Sequence, residues 1–129
     1  MEIKTKYASP LILKDILISE SKFSRVESNI ENVELGINVE RELEKISEEE
    51  YRIVLEVMVT DGNEKVNIYV KCVAKFNTEQ DNMDLIERNT IAIMFPYVRS
   101  YISTLTTQPG MAPVVLPAMN IVAMLNDKK

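Results

Sequence analysis

Two alternating runs on either side of Asp61-Gly62-Asn63 constrain this chain more than any other feature. Before the break, Tyr51, Ile53, Leu55, Val57 and Val59 alternate with Arg52, Val54, Glu56, Met58 and Thr60. After it, Val66, Ile68, Val70, Cys72 and Ala74 alternate with Lys65, Asn67, Tyr69, Lys71, Val73 and Lys75. A period of two sends successive side chains to opposite faces, so each run predicts a strand with one apolar face. Asp-Gly readily supplies the positive φ angles of two-residue hairpin turns, which predicts a tight antiparallel connection.

The upstream sequence extends the sheet. Leu11 to Phe23 reads as a first strand with Ile12, Ile16 and Ile18 on one side, and Ser24 to Asn32 as a polar connection carrying Val26 and Ile30. From Val33 the alternation is regular, with Val33, Leu35, Ile37 and Val39 against Glu34, Gly36, Asn38 and Glu40. Ser47-Glu48-Glu49-Glu50 marks the turn into the third strand. Four strands come as a block before the helices, so the expected class is α+β: a single domain over residues 1–129, with helices covering the apolar face of a four-stranded antiparallel sheet.

The remainder is of a different kind. Between Arg88 and Asp127 the one charged residue is Arg99. Ile91, Phe95, Val98, Ile102 and Leu105 recur at spacings of four and three, a helical stripe. Asp81 or Asn82 suits its N-cap, Pro96 predicts a kink or a break, and Pro109-Gly110 an end. Gln108 to Met119 then holds three prolines and one glycine, yet stays apolar. Irregular backbone is normally surface-lying and polar, because buried peptide groups need partners. Either Val114, Val115 and Leu116 tuck into the chain's own core, or the loop is a lid over a groove for apolar segments of another molecule. Pro117 suits the first turn of a short helix, Ala118 to Asn126, with Met119, Ile121, Val122, Met124 and Leu125 as its apolar residues. Met111, Met119 and Met124 fit a promiscuous groove or a gap in the core equally well.

Composition excludes several chemistries. There is no histidine, only three glycines and one cysteine, which leaves no neutral-pH general base of the usual kind, no phosphate loop, no disulfide and no cysteine metal cage. Glu48-Glu49-Glu50 falls in a solvated turn. The expectation is a protein that is not an enzyme and needs no cofactor or metal. The net charge is -5, with the acid placed ahead of residue 89, a balance that disfavours nucleic acid and anionic lipid and suits basic stretches of polypeptide. It is equally that of a merely soluble protein. Met1 to Lys6 leads into no signal-like apolar run and the prolines after Ser100 oppose a membrane span, so a cytoplasmic protein without membrane insertion is expected.

Phe95-Pro96-Tyr97-Val98-Arg99, followed by a helix, Gly110, an apolar proline-containing loop and Leu116-Pro117 before a short helix, resembles the SecB protein-export chaperones. Lys14-Asp15-Ile16, Tyr51-x-x-Val54-Leu55-x-Val57-x-Val59-Thr60 and Cys72-x-Ala74 extend the resemblance over nearly the whole chain. It implies an ATP-independent holdase for unfolded precursor polypeptides, built as a homotetramer (a dimer of dimers), with Ile91, Phe95, Val98, Ile102 and Leu105 buried between subunits. The implied peptide grooves fall on Phe23, Val26 and Ile30, on Met111, Val114, Val115 and Leu116, and on Met119, Val122 and Met124. Asp15 matches an outer-face acid that docks the translocation ATPase SecA, although Ala74 stands where the family pattern has a second acid. The absence of Trp and the aliphatic lid favour aliphatic anchors. Two alternatives stay open: a SecB-like chaperone dedicated to an antitoxin, and a carrier of a small apolar ligand.

Overall fold

In the computed structural model, which describes residues 5, 6 and 9–127, the elements run β1 (Ile12–Arg25), β2 (Gly36–Lys45), β3 (Glu50–Thr60), β4 (Val66–Asn77), α1 (Met83–Leu105) and α2 (Ile121–Asp127). Met1 to Lys4, part of the N-terminal stretch considered above, and Lys128 and Lys129 lie outside the described residues. All strand pairings are antiparallel and the spatial order is β1-β4-β3-β2. The α+β expectation is met.

The alternation that predicted β3 and β4 has a direct cause. Tyr51, Ile53, Leu55, Val57 and Val59 face α1, as do Val66, Ile68, Val70, Cys72, Ala74 and Phe76, and all are buried. Each large apolar side chain removed from water contributes about 1.5–3 kcal/mol, which fixes the register of the two central strands. Burial also pushes the Cys72 thiol up to about 11, so it stays protonated at neutral pH and packs as a small apolar group.

Four expectations need correction. The β3–β4 connection is a loop over Asp61 to Lys65, not a two-residue turn, and Gly62 and Glu64 both have positive φ. Asp61 Oδ1 accepts the Lys65 amide at 2.9 Å, wrapping the acid around the loop. Next, β1 carries register shifts after Leu13 and Ile18. These bulges advance the phase by one residue each time, so Leu13, Ile16 and Ile18 share the inner face while Ile12 is 57% exposed.

The third correction concerns α1: of the kink or break expected at Pro96, the break does not occur, and one helix runs through it. Pro96 and Ala92 are both exposed, so the Ala92 carbonyl that loses its Pro96 partner can be hydrated and the helix continues. Asn82 is the cap, its side chain accepting the Leu85 amide at 3.2 Å. The stripe Ile91, Phe95, Val98 and Ile102 is buried within this one chain against the sheet, with Leu105 half-buried beside it. The four buried side chains are therefore taken up by the chain's own sheet, which corrects the expectation that they lie between subunits. Fourth, α2 starts at Ile121 after Asn120, whose side chain accepts the Ala123 amide at 3.0 Å, so Pro117 precedes the helix by an extended stretch.

Candidate functional site

Since β1 and β2 occupy opposite edges of the sheet, the chain between them must cross the ends of β4 and β3, three strand spacings or about 14 Å. Val26 to Leu35 makes this crossing. Its first residue is tied to the β3–β4 loop, Val26 donating to the Lys65 carbonyl at 2.9 Å. The inward alternation Val33-Leu35 continues ahead of the paired part of β2, leaving two half-buried apolar side chains beyond the end of the ladder.

The apolar loop after α1 approaches this crossing from the other side. The loop is not a free flap. Val114 is held at both backbone groups by the end of α1: its amide donates to Thr106 Oγ1 at 2.8 Å and its carbonyl accepts from Ser103 Oγ at 3.0 Å. Thr106 itself is buried and donates to the Ile102 carbonyl at 2.8 Å. Between crossing and loop lies a cleft of about 540 Å³, lined by Ile30, Val33, Leu35, Val66, Met111 and Val114, with Arg25, Glu27 and Glu31 among its polar residues. An apolar floor with acids at its edge accepts an extended, apolar segment and favours basic flanks. A larger opening of about 780 Å³ shares Asn29, Val33 and Leu35 with this cleft and is otherwise lined mainly by polar residues, Asn32, Glu34, Thr60, Asp61, Asn63 and Lys65 among them. Its polarity suits water, not apolar anchors.

The groove residues read from the sequence divide accordingly. Ile30, Met111 and Val114 meet in the cleft. Val115, next in the chain after Val114 but not part of the cleft's lining, is 75% exposed, and Val26 is half-buried at the start of the crossing. Leu116 is 6% exposed and belongs to the core; the loop alternates, so its neighbour must point the other way. Phe23 lies on the inner sheet face outside this cleft, beside a separate opening with Met58 and Tyr69.

Met119, Val122 and Met124 are not at the cleft either. Val122 and Leu125 adjoin Asp84, Glu87 and Arg88 in the first turns of α1, whereas the cleft lies at its last turns. From Arg88 to Ser103 the helix rises roughly 22 Å, and the extended stretch from Pro113 to Asn120 is long enough to cover that distance. Neighbours in sequence are thus separated in space. Arg25, Val33, Leu35 and Val66 were missed because each reads as an ordinary strand residue; the missing cue was the edge-to-edge strand order.

Asp15 is exposed on the outer face of β1, opposite Lys75. That face is laced with charge: Lys22 lies 3.2 Å from Glu20 and 5.9 Å from the Tyr69 ring centre. Tyr69 donates to Glu56, and this bond, with partial burial and the charges of Glu56 and Glu20, pushes the phenol up to about 12. It remains a donor at any physiological pH. Among the described residues no group of three or more potential ligands could hold a metal ion, and no helix is long and apolar enough to cross a membrane.

Comparison with known proteins places these features in context. The family model described as "Preprotein translocase subunit SecB" matches residues 8–129. An uncharacterized protein of Methanocaldococcus jannaschii is 30% identical over 105 residues, covering 74% of this chain and 68% of its own length. The protein-export protein SecB of Methylobacillus flagellatus is 27% identical over 124 residues, covering 91% of this chain and 79% of that protein. Among solved structures, a SecB-like chaperone of Mycobacterium tuberculosis, in complex with a ChAD peptide from the HigA1 antitoxin, superimposes with a TM-score of 0.64 at 12% identity, covering 85% of this chain and 91% of that one. A protein of unknown function from Streptococcus agalactiae matches with a TM-score of 0.52 at 15% identity, covering 84% and 97%. At these identities both structures report the fold alone.

Proposed function

The chain belongs to the SecB family, and we propose that it is an ATP-independent holdase that captures non-native polypeptide in the cleft between the β1–β2 crossing and the apolar loop. The observation that carries this reading is the cleft itself: an apolar floor of Ile30, Val33, Leu35, Met111 and Val114 opening to solvent with acids at its edge. A folded protein keeps such segments inside, so only unfolded or partly folded clients present them. Capture then depends on folding rate and not on a sequence motif.

One cleft of this size holds a few side chains, so useful affinity requires several clefts on one client, which is the role of assembly in this reading. The outward side of α1 supplies a surface for it. Ala92, Pro96, Ser100 and Thr104 form an uncharged ridge at four-residue spacing beside Tyr97, and all five are exposed. The proposal is a homotetramer joined through this ridge, and not through the buried stripe.

Two partner readings share the same cleft. In the export reading, clients are precursors handed to SecA, with Asp15 and the charged outer face as the docking surface. In the second, the client is an antitoxin, a reading favoured by the antitoxin peptide bound to the structurally similar chaperone. Val115→Asp tests the exposed side of the apolar loop beside the cleft without touching the core. We expect about a tenfold loss of affinity for an unfolded client with an unchanged unfolding midpoint, as for a charge placed at an apolar contact. Unchanged affinity would move the site elsewhere.

A further inference from the structure

Arg25 ends β1 with its side chain on the inner side of the sheet, opposite Val66. Its guanidinium donates three hydrogen bonds to carbonyls of two backbone segments: Nε to the Val26 carbonyl at 2.8 Å, Nη2 to the Ser28 carbonyl at 3.0 Å and Nη1 to the Gly110 carbonyl at 3.1 Å. The first two acceptors belong to the crossing and the third to the apolar loop, so one side chain ties the two walls of the cleft together. The loop's other anchor is Val114, held by Ser103 and Thr106 of α1. Met111-Ala112-Pro113 is thereby a three-residue bridge slung between one attachment to β1 and one to α1.

We propose that Arg25 is a positioning residue, a clasp that fixes the width of the cleft and so selects which apolar anchors it accepts; this rests on the chaperone reading above. The chemistry suits the task. A guanidinium presents five N–H groups in a rigid plane and never loses its charge, so it can bridge carbonyls that diverge in direction at any physiological pH. Lysine, a point donor on a flexible stem, can satisfy one of these carbonyls but cannot span them. The bond to Gly110 is solvent-exposed, as is that to Ser28, so each opens more readily than a buried one, and the part-buried bond to Val26 holds the guanidinium in place for reclosure. Small aliphatic anchors fit with the clasp shut. Large aromatic anchors require the loop to swing about Val114, which breaks the Gly110 bond and costs about a tenfold factor in affinity for one charge-assisted hydrogen bond.

The test compares wild type with Arg25→Met and Arg25→Lys. Backbone order parameters of Met111 and Ala112 in the absence of client should fall in both variants, while the Val114 amide, bonded to Thr106, keeps its protection from exchange. Binding of two labelled peptides of equal length and charge, one anchored by Val and Leu and the other by Phe and Trp, should show an aliphatic preference in wild type that shrinks about tenfold in both variants. Unchanged order at Met111 and Ala112 overturns the clasp, as does an equal loss of affinity for both peptides, and so does wild-type behaviour of Arg25→Lys, which would mean that charge alone matters. If the bridge loosens as expected but wild type binds neither peptide, the clasp stands and the chaperone reading falls.

Discussion

Phe95→Ala is expected to lower the stability of the protein by about 3–5 kcal/mol, the range for removing a buried aromatic side chain from a packed core. Phe95 is 3% exposed within one chain and sits among Ile91, Met94, Val98 and Ile102, each of them fully buried against the sheet. The cavity left behind cannot be filled by small movements, because α1 is held at its first turn by the Asn82 cap and on its flank by Arg41 of β2, whose Nε lies 3.2 Å from Glu87. Urea unfolding checks the expectation: the midpoint falls while the slope is retained. The outcome also separates two placements of the stripe. A core residue gives the same loss at low and high protein concentration, whereas an interface residue gives a loss that grows on dilution. The burial of Phe95 within one chain requires the first.

Ser100→Glu is expected to have the largest effect on function while leaving the fold intact. Ser100 is exposed in the middle of the uncharged ridge of α1, where a carboxylate is harmless in a monomer and well solvated. In a symmetric assembly the substitution is repeated in every copy, so like charges are brought together in each contact and left without partners. Native mass spectrometry should show the proposed tetramer replaced by smaller species. Affinity for a long client that spans several clefts should fall about a hundredfold, because binding at the second cleft loses its effective concentration; a short peptide that fills one cleft should bind as before. Equal losses for both clients would show that the ridge acts on the cleft itself and not through assembly.

The sequence revealed the elements that a single buried face controls. β3 and β4 were legible to the residue pair, since Tyr51 to Val59 and Val66 to Ala74 place every inward residue in the core, and a slip by one would expose them all. β1 was misphased because its bulges after Leu13 and Ile18 are backbone events with no distinctive residue to announce them. The stripe of α1 was correctly found as a helix and wrongly given to a subunit contact: periodicity says which side of a helix is apolar, and only the sheet packed against it says what covers that side. The site followed the same rule. Ile30, Met111 and Val114 were picked as apolar residues out of place in loops, and they do meet. The residues of α2 were joined to them because they follow closely in sequence, while the extended stretch through Pro117 carries the chain back along α1. Arg25 could not have been found without the loop it reaches, since Gly110 lies 85 positions away.

The most direct test of the central claim is a titration of the purified protein with the unfolded and the folded form of one secretory precursor, with mass states recorded in the same buffer. The account predicts that a tetramer captures the unfolded form and leaves the native form free. Binding of both forms alike, or of neither, would contradict it.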